Sequence, residues 1–190
     1  MNQIILKDRI KRGAILENEI TNLIKENIDI YAKTIKNVYI YSKDKKRTEI
    51  DIILITAYGI FVIESKNCNG IICGKETDTN WIINYYNNGY QLTNNFIAQN
   101  EYHIKFLSEH LNKDITDFKS FIVLGKHAKN NIVYDKNKTT IININELIEY
   151  LIDNMHNSET IYSHEVIDKI YIDLKYYCEH SNIEYSEQFN

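Results

Sequence analysis

Glu49-Ile50-Asp51-Ile52-Ile53-Leu54-Ile55, then Thr56-Ala57-Tyr58-Gly59, then Ile60-Phe61-Val62-Ile63-Glu64-Ser65-Lys66 is the stretch whose reading decides the fold. Its apolar runs are rich in Ile and Val and read as β-strands over 48–55 and 60–66. Gly59 supplies the backbone angles that the hairpin turn between them needs. Continuous apolar runs of this kind indicate burial on both faces of the strand. Asp, Glu and Lys are depleted in strands and costly to bury unpaired, yet Asp51, Glu64 and Lys66 lie beside these runs. The two-residue period puts Glu64 and Lys66 on one face and Ser65 on the other. A two-residue turn at Ala57-Tyr58 pairs residues whose numbers sum to 115, which sets Asp51 opposite Glu64 and Glu49 opposite Lys66. Cβ atoms of such neighbours lie roughly 5 Å apart. A three-residue loop would make the same contacts diagonal.

Two carboxylates at that distance repel unless something positive sits between them. A hard divalent cation fits, since Mg²⁺ uses one or two carboxylates together with water and substrate phosphate. Lys66, one side chain further along, could orient an attacking water or stabilise charge developing on a phosphate. That is the equipment of metal-assisted phosphodiester hydrolysis. The same three residues also read as an ion-pair network at a strand end, and spacing alone leaves both readings open.

Working outward, a helix is expected from near Gly13, with Leu16, Ile20, Leu23 and Ile24 on its apolar stripe and Glu17 and Glu19 on opposite flanks. Short strands are expected at 38–41, 70–74, 81–86, 121–124, 132–134 and 140–142. Residues 94–112 carry Ile97, Ile104, Leu107 and Leu111 at helical spacing, with Asn95 placed to cap the helix. Gln99 and His103 fall one turn apart on one face of it, either looking into the site or forming a polar flank. Two helices close the chain near 145–155 and 163–180. No repeat or linker interrupts residues 1–190, which therefore read as one mixed α/β domain. Trp81, Tyr85, Tyr86 and Tyr90 suit either packing or stacking on bases.

At 190 residues and 22.5 kDa, with 44% apolar and 25% charged residues, the composition is that of a globular protein and excludes a disordered chain or a disulfide scaffold. Proline is absent, and the abundance of Ile and Asn reads as the codon bias of an AT-rich genome. The net charge is −4, but it is unevenly spread. Residues 1–75 hold 13 Lys/Arg against 9 Asp/Glu, whereas residues 144–190 hold 2 against 10. The acidic tail reads as a solvated helix pair or as a partner surface. Lys43, Lys45, Lys46 and Arg47 lie on the turn leading to Asp51, as a solvated turn or as a grip on a phosphate backbone. Cys68, Cys73 and Cys178 form no C-x-x-C pair, so zinc and a disulfide framework are not expected. The N-terminus breaks into charge after three apolar residues, and no run approaches a membrane span, so a reduced cytoplasmic protein is expected.

Four stretches in order resemble the nuclease-related domain, NERD, of the PD-(D/E)XK nuclease superfamily. They are Arg12-Gly13-Ala14-Ile15-Leu16-Glu17; Glu49-Ile50-Asp51-Ile52; Gly59 to Asn67 continuing through Gly70-Ile71-Ile72-Cys73-Gly74 to Trp81; and Asn95-Phe96-Ile97-Ala98-Gln99-Asn100 with His103. Leu16, Glu49, Ile52 and Phe96 depart from the family's usual glycine, glutamine, histidine and proline. The resemblance covers about residues 12–125 and implies a restriction-endonuclease-like core: a central mixed sheet flanked by the helices near 13–27 and 94–112. Residues 126–190 would add a strand and acidic C-terminal helices.

By the same resemblance, Asp51 and Glu64 would bind Mg²⁺, or Mn²⁺ in its place, with the backbone carbonyl of Ser65 and with Glu17 directly or through water. Lys66 would be the catalytic lysine, and Gln99 would orient substrate or water. The added carboxylate of Glu49 could partly occupy Lys66. The implied activity is endonucleolytic hydrolysis of DNA, with RNA as another substrate to be distinguished. The rival is a catalytically inactive nuclease-fold module that binds nucleic acid or a partner protein. A homodimer or a protein partner through the acidic C-terminal helices is a further expectation; strong sequence specificity is not, since no helix-turn-helix or similar reader is present.

Overall fold

The computed structural model describes residues 2–41, 47–87 and 89–180, with side chains from Gly13 to Cys178 within that span. Strands β2 (Arg47–Thr56) and β3 (Gly59–Lys66) pair antiparallel from Thr56–Gly59 to Ile52–Ile63. Each of these pairs sums to 115, the register set by a two-residue turn. Thr56 ties that turn: its hydroxyl donates to the Gly59 carbonyl and accepts the Tyr58 N–H, both at 3.1 Å. Gly59 has φ of +130°, a conformation costly for a residue with a Cβ.

Strand β1 (Ala32–Tyr41) joins the other edge of β2 in antiparallel fashion. Strand β7 (Phe118–Leu124) lies parallel to β3, and β9 (Thr139–Asn143) parallel to β7, which completes a mixed sheet of order β1-β2-β3-β7-β9. A second sheet holds β4 (Gly70–Lys75), β5 (Asn80–Tyr85), β6 (Tyr90–Asn94) and β8 (Lys129–Val133) in the order β6-β5-β4-β8. The helices are α1 (Asn2–Asn27), α2 (Phe96–Leu111), α3 (Leu147–His156) and α4 (His164–His180).

Both faces of the larger sheet are covered, as its continuous apolar runs require. Ile52, Leu54, Phe61 and Ile63 pack against Leu16, Ile20 and Ile24 of α1 and Leu147 and Leu151 of α3. Ile53, Ile55, Ile60 and Val62 pack on the opposite side against Ile104 and Leu107 of α2 and Ile167, Ile170 and Leu174 of α4. The smaller sheet brings Ile72, Trp81 and Ile83 onto Phe96 and Ile97 at the start of α2. Helix α2 thus bridges the two sheets. Its N-terminus is closed by Asn95, whose side chain accepts the N–H groups of Ile97 and Ala98.

The alternation of faces slips once. Ile35, Val38 and Ile40 of β1 all enter the α2–α4 core, as do Ile50, Ile53 and Ile55 of β2. On each strand one phase shift lies between flanking pairs Lys36–Ile52 and Val38–Ile50, at Asn37 and Asp51. Asn37 takes φ of +53°, a left-handed conformation that asparagine tolerates better than most side chains. The slip frees Asp51 from the alternation just where the β2–β3 ladder ends.

The architecture fits a restriction-endonuclease-like α/β fold, with three differences from the sequence expectation. Two sheets are formed rather than one central sheet, with β6 added: its exposed, mostly polar residues gave no strand signal. Strand β1 begins at Ala32 rather than 38, because Lys33, Lys36 and Asn37 interrupt its apolar pattern. Helix α1 begins at Asn2, ahead of Gly13. The acidic tail docks partly through its charges: Asp168 accepts the Tyr31 hydroxyl at 2.7 Å and lies 3.3 Å from Lys33 Nζ. All three cysteines are free, and no helix among the described residues is long and apolar enough to cross a membrane.

The Gly59 backbone gives a direct test. A Cβ built there would stand 2.7 Å from the Asp117 carbonyl oxygen. Gly59→Ala is therefore expected to destabilise the protein by about 2 kcal/mol or more, read as a lower urea midpoint at unchanged slope.

Candidate active site

The site forms where β3 runs past the end of its pairing with β2. Beyond Ile52–Ile63 the Asp51 carboxylate replaces the main chain as acceptor: its Oδ2 takes the Ser65 N–H at 2.8 Å and the Ser65 hydroxyl at 3.0 Å. Glu64 and Lys66, two residues apart on β3, point to α2. Glu64 is 1% exposed, and its Oε1 accepts from Lys66 Nζ and, at 2.8 Å, from Gln99 Nε2. Lys66 Nζ also reaches Gln99 Oε1 at 3.4 Å and rests over the Phe96 ring, 4.7 Å from its centroid. Gln99 thus clasps both members of the ion pair.

The other oxygen of Glu64 is less well served. Glu64 Oε2 and His103 Nδ1 face each other at 3.5 Å, both buried and neither with a hydrogen-bond partner. Burial raises the Glu64 carboxyl to a pKa of about 7; Asp51 adds to the rise, and Lys66 and Gln99 oppose it. Burial lowers His103 to about 4, so its imidazole is neutral at pH 7. Glu17 of α1 stands close enough to Asp51 for the two charges to interact; burial first and Asp51 second raise its carboxyl pKa, while Lys36 lowers it. Glu19, on the other flank of α1, pairs with Lys126 instead.

The structure therefore joins Asp51 to Ser65, and Glu64 to Lys66 and Gln99, by direct contacts, with Asp51 in electrostatic range of Glu64 and Glu17 in range of Asp51. The expected Glu49–Lys66 proximity is not formed. Lys66 is turned to Glu64 and Gln99, whereas Glu49 accepts the Tyr39 hydroxyl at 2.8 Å. The ladder ends before that pair, so nothing holds the two side chains in line. Arg47 opens β2 with its guanidinium 3.8 Å over the Tyr39 ring. Lys43, Lys45 and Lys46 lie outside the described residues. Trp81 is fully buried, donating from Nε1 to the Lys75 carbonyl at 2.9 Å, and is a packing residue.

One contributor was not singled out from the sequence. Asn100 is fully buried, and its Nδ2 donates to the Val62 carbonyl at 3.0 Å and Ser120 Oγ at 2.9 Å. It pins α2 to β3 beside Glu64 and so sets the height at which Gln99 and His103 meet that carboxylate. The signal was a polar residue on the apolar stripe, one turn from both Ile97 and Ile104.

The donor set suits a hard cation. Asp51 and Glu64 offer oxygen donors, Glu64 Oε2 is a buried acceptor without a donor, and Asp51 adds to the cost of charging Glu64. Among the described residues no group of three His, Cys, Asp or Glu side chains is arranged to hold a metal. Any ion here would draw on Asp51 and Glu64 with backbone carbonyl and water, the pattern of Mg²⁺ rather than of zinc.

A family model described as NERD, nuclease-related domain, matches residues 12–125. No curated protein and no solved structure matches the chain.

The electrostatics fix the pH dependence of the metal-free fold. Glu64, raised from 4.5 to about 7, contributes stability that is present below pH 4.5 and lost as pH rises through 7. His103, lowered from 6.5 to about 4, acts oppositely and costs stability as pH falls below 6.5. Glu64→Gln removes the first effect alone. It should raise thermal stability at pH 8, by on the order of 2 kcal/mol, and leave a protein that loses stability steadily below pH 6.5. Thermal melts of both proteins in chelator across that range check this.

Proposed function

The chain belongs to the nuclease-related domain family, and from that premise we propose that it hydrolyses phosphodiester bonds within DNA. The carrying observation is the buried Glu64 carboxylate, placed with Asp51 nearby and with Lys66 and Gln99 on its Oε1. A charged group buried at the end of an otherwise apolar strand costs stability. That cost has a use if the site must concentrate negative charge for a cation.

In this reading Asp51 and Glu64 hold Mg²⁺, or Mn²⁺ in its place, with the Ser65 backbone carbonyl and with Glu17 directly or through water. The ion when bound would act as a Lewis acid toward the phosphate and lower the pKa of its water. Lys66 donates from Nζ to a phosphate oxygen and offsets the charge that develops there. Gln99 keeps Lys66 and Glu64 aligned, and its amide is placed to orient water or substrate once Lys66 turns toward the phosphate. Neutral His103 closes the buried side of Glu64 without adding a competing positive charge. Arg47, with Lys43, Lys45 and Lys46, holds the DNA backbone next to the site.

A second reading has one observation in its favour. With no group of three metal-capable side chains among the described residues, and with Lys66 closed on Glu64, the domain would bind nucleic acid or a partner protein without chemistry. Calorimetry separates the two readings: Mn²⁺ binding by the wild type that is lost in Asp51→Ala supports the nuclease, and no binding by the wild type supports the module.

Asp51→Ala and Lys66→Ala are each expected to reduce Mg²⁺-dependent cleavage of labelled DNA by about 100-fold or more. Gln99→Ala, which loosens rather than removes the group, should cost about tenfold. Circular dichroism should show all three folded. Wild-type cleavage rates in folded Asp51→Ala would overturn the assignment.

A further inference from the structure

Two clefts flank the Glu64–Lys66–Gln99 group, and their chemistry differs. One, of about 580 Å³, lies on the Gln99 and His103 side and is bordered by Arg47 and Glu49. The other, of about 810 Å³, opens beside Ser65 and Lys66 and is walled by the β5–β6 hairpin. Among the described residues Lys66 is the single charged side chain on this second cleft, and no carboxylate borders it. Its walls instead carry the amides of Asn69, Asn87 and Gln91 and the rings of Tyr85 and Tyr86, with Ile83 among them.

The two tyrosines are held differently. Tyr85 is fixed, its hydroxyl donating to Gln91 Oε1 at 2.7 Å. Tyr86, at the turn after β5, is 50% exposed and presents its ring at the rim. Rings for stacking and amides that both donate and accept suit a flat, neutral heterocycle with hydrogen-bonding edges. They suit a phosphate less well, since among the described residues Lys66 at one end is the sole cation. The volume is within the roughly 300–1,000 Å³ typical of sites for small organic groups. A base inside a duplex is stacked on both sides and paired at its edge, and it enters such a cleft only after leaving the helix.

We propose that this cleft receives an unpaired nucleobase of the strand whose backbone lies at Lys66, so that the substrate is single-stranded DNA. Tyr86 is the stacking platform and therefore a substrate-positioning residue rather than a catalytic one. This rests on the nuclease reading for the identity of the strand, while the cleft itself supplies the preference for an unpaired base. Within this cleft the roles divide: Lys66 at one end meets the strand's backbone, and the Tyr85 and Tyr86 wall meets base surface.

Binding is measured in the Asp51→Ala background, where turnover is suppressed, by fluorescence anisotropy with a labelled DNA strand and its duplex. The single strand should bind about tenfold more tightly than the duplex. Tyr86→Ala should lose about tenfold in affinity for the single strand and none for the duplex, whereas Tyr86→Phe keeps both. A strand made wholly of abasic sugar-phosphate should bind the parent protein no better than the normal strand binds Tyr86→Ala. Equal affinity for strand and duplex, unchanged binding by Tyr86→Ala, or full affinity for the abasic strand would each overturn the inference. Cleavage by otherwise wild-type protein then separates the two readings. Equal kcat/KM on single strand and duplex overturns the base cleft and leaves the nuclease standing; no cleavage of either, with Tyr86-dependent binding retained, overturns the nuclease and leaves the cleft.

Discussion

Keeping the Glu64 carboxylate out of water while leaving it usable is the constraint around which the neighbouring elements are arranged. A buried carboxylate needs donors, and β3 supplies only Lys66 from its own face. The remainder must come from another element, and α2 provides Gln99, while its His103 faces the other oxygen without a hydrogen bond to it. Helix α2 can do so because Asn95 closes its first turn, Asn100 hooks its middle onto β3, and Ile104 and Leu107 bury its far half. The result is incomplete by one oxygen, since Glu64 Oε2 has no donor. In the proposed function that open oxygen is the one offered to the cation.

Asp51 reaches the same place by a different route. Strict alternation along β2 would have carried it with the residues of the α2–α4 core. The paired slip at Asn37 and Asp51 returns Ile50 to that core and releases Asp51 to the Ser65 N–H and hydroxyl. One main-chain bond of the ladder is thereby exchanged for a charge-assisted one, which holds the carboxylate in place through two donors. The left-handed Asn37 is the local cost of this arrangement, and the short polar side chain keeps that cost small.

The four departures from the family pattern divide by location. Leu16 and Ile52 lie in the apolar core shared by α1 and the sheet. Phe96 gives Lys66 an aromatic face to rest on and packs edge-on against Trp81, so the smaller sheet is coupled to Lys66 through one ring. Glu49 is drawn off by Tyr39 and leaves Lys66 to Glu64. The acidity of the C-terminal residues is likewise spent in part on docking α4, through Asp168 to Tyr31 and Lys33.

Much of this was legible in the chain because it rests on local rules. A turn of two residues fixes the β2–β3 register, apolar runs on both faces demand two covering layers, and an asparagine ahead of an apolar-periodic segment marks the start of α2. Those rules identified Asp51, Glu64 and Lys66 as residues to examine together, and the family resemblance joined Gln99 to them. What they could not reach depends on separations the sequence does not encode: where the ladder stops, which partner a flexible lysine prefers, and which polar residue on a buried stripe finds a main-chain carbonyl. Strands of low hydrophobicity, such as β6 and the first half of β1, were invisible for the same reason, since their pairing is decided by neighbours far along the chain. Periodicity and turn chemistry are properties of the sequence itself and determined the hairpin, the layers and the cluster of charged residues. Only tertiary packing, which sets long side chains against partners from other elements, decided that Lys66 belongs to Glu64 rather than Glu49 and that one carboxylate oxygen is left without a donor.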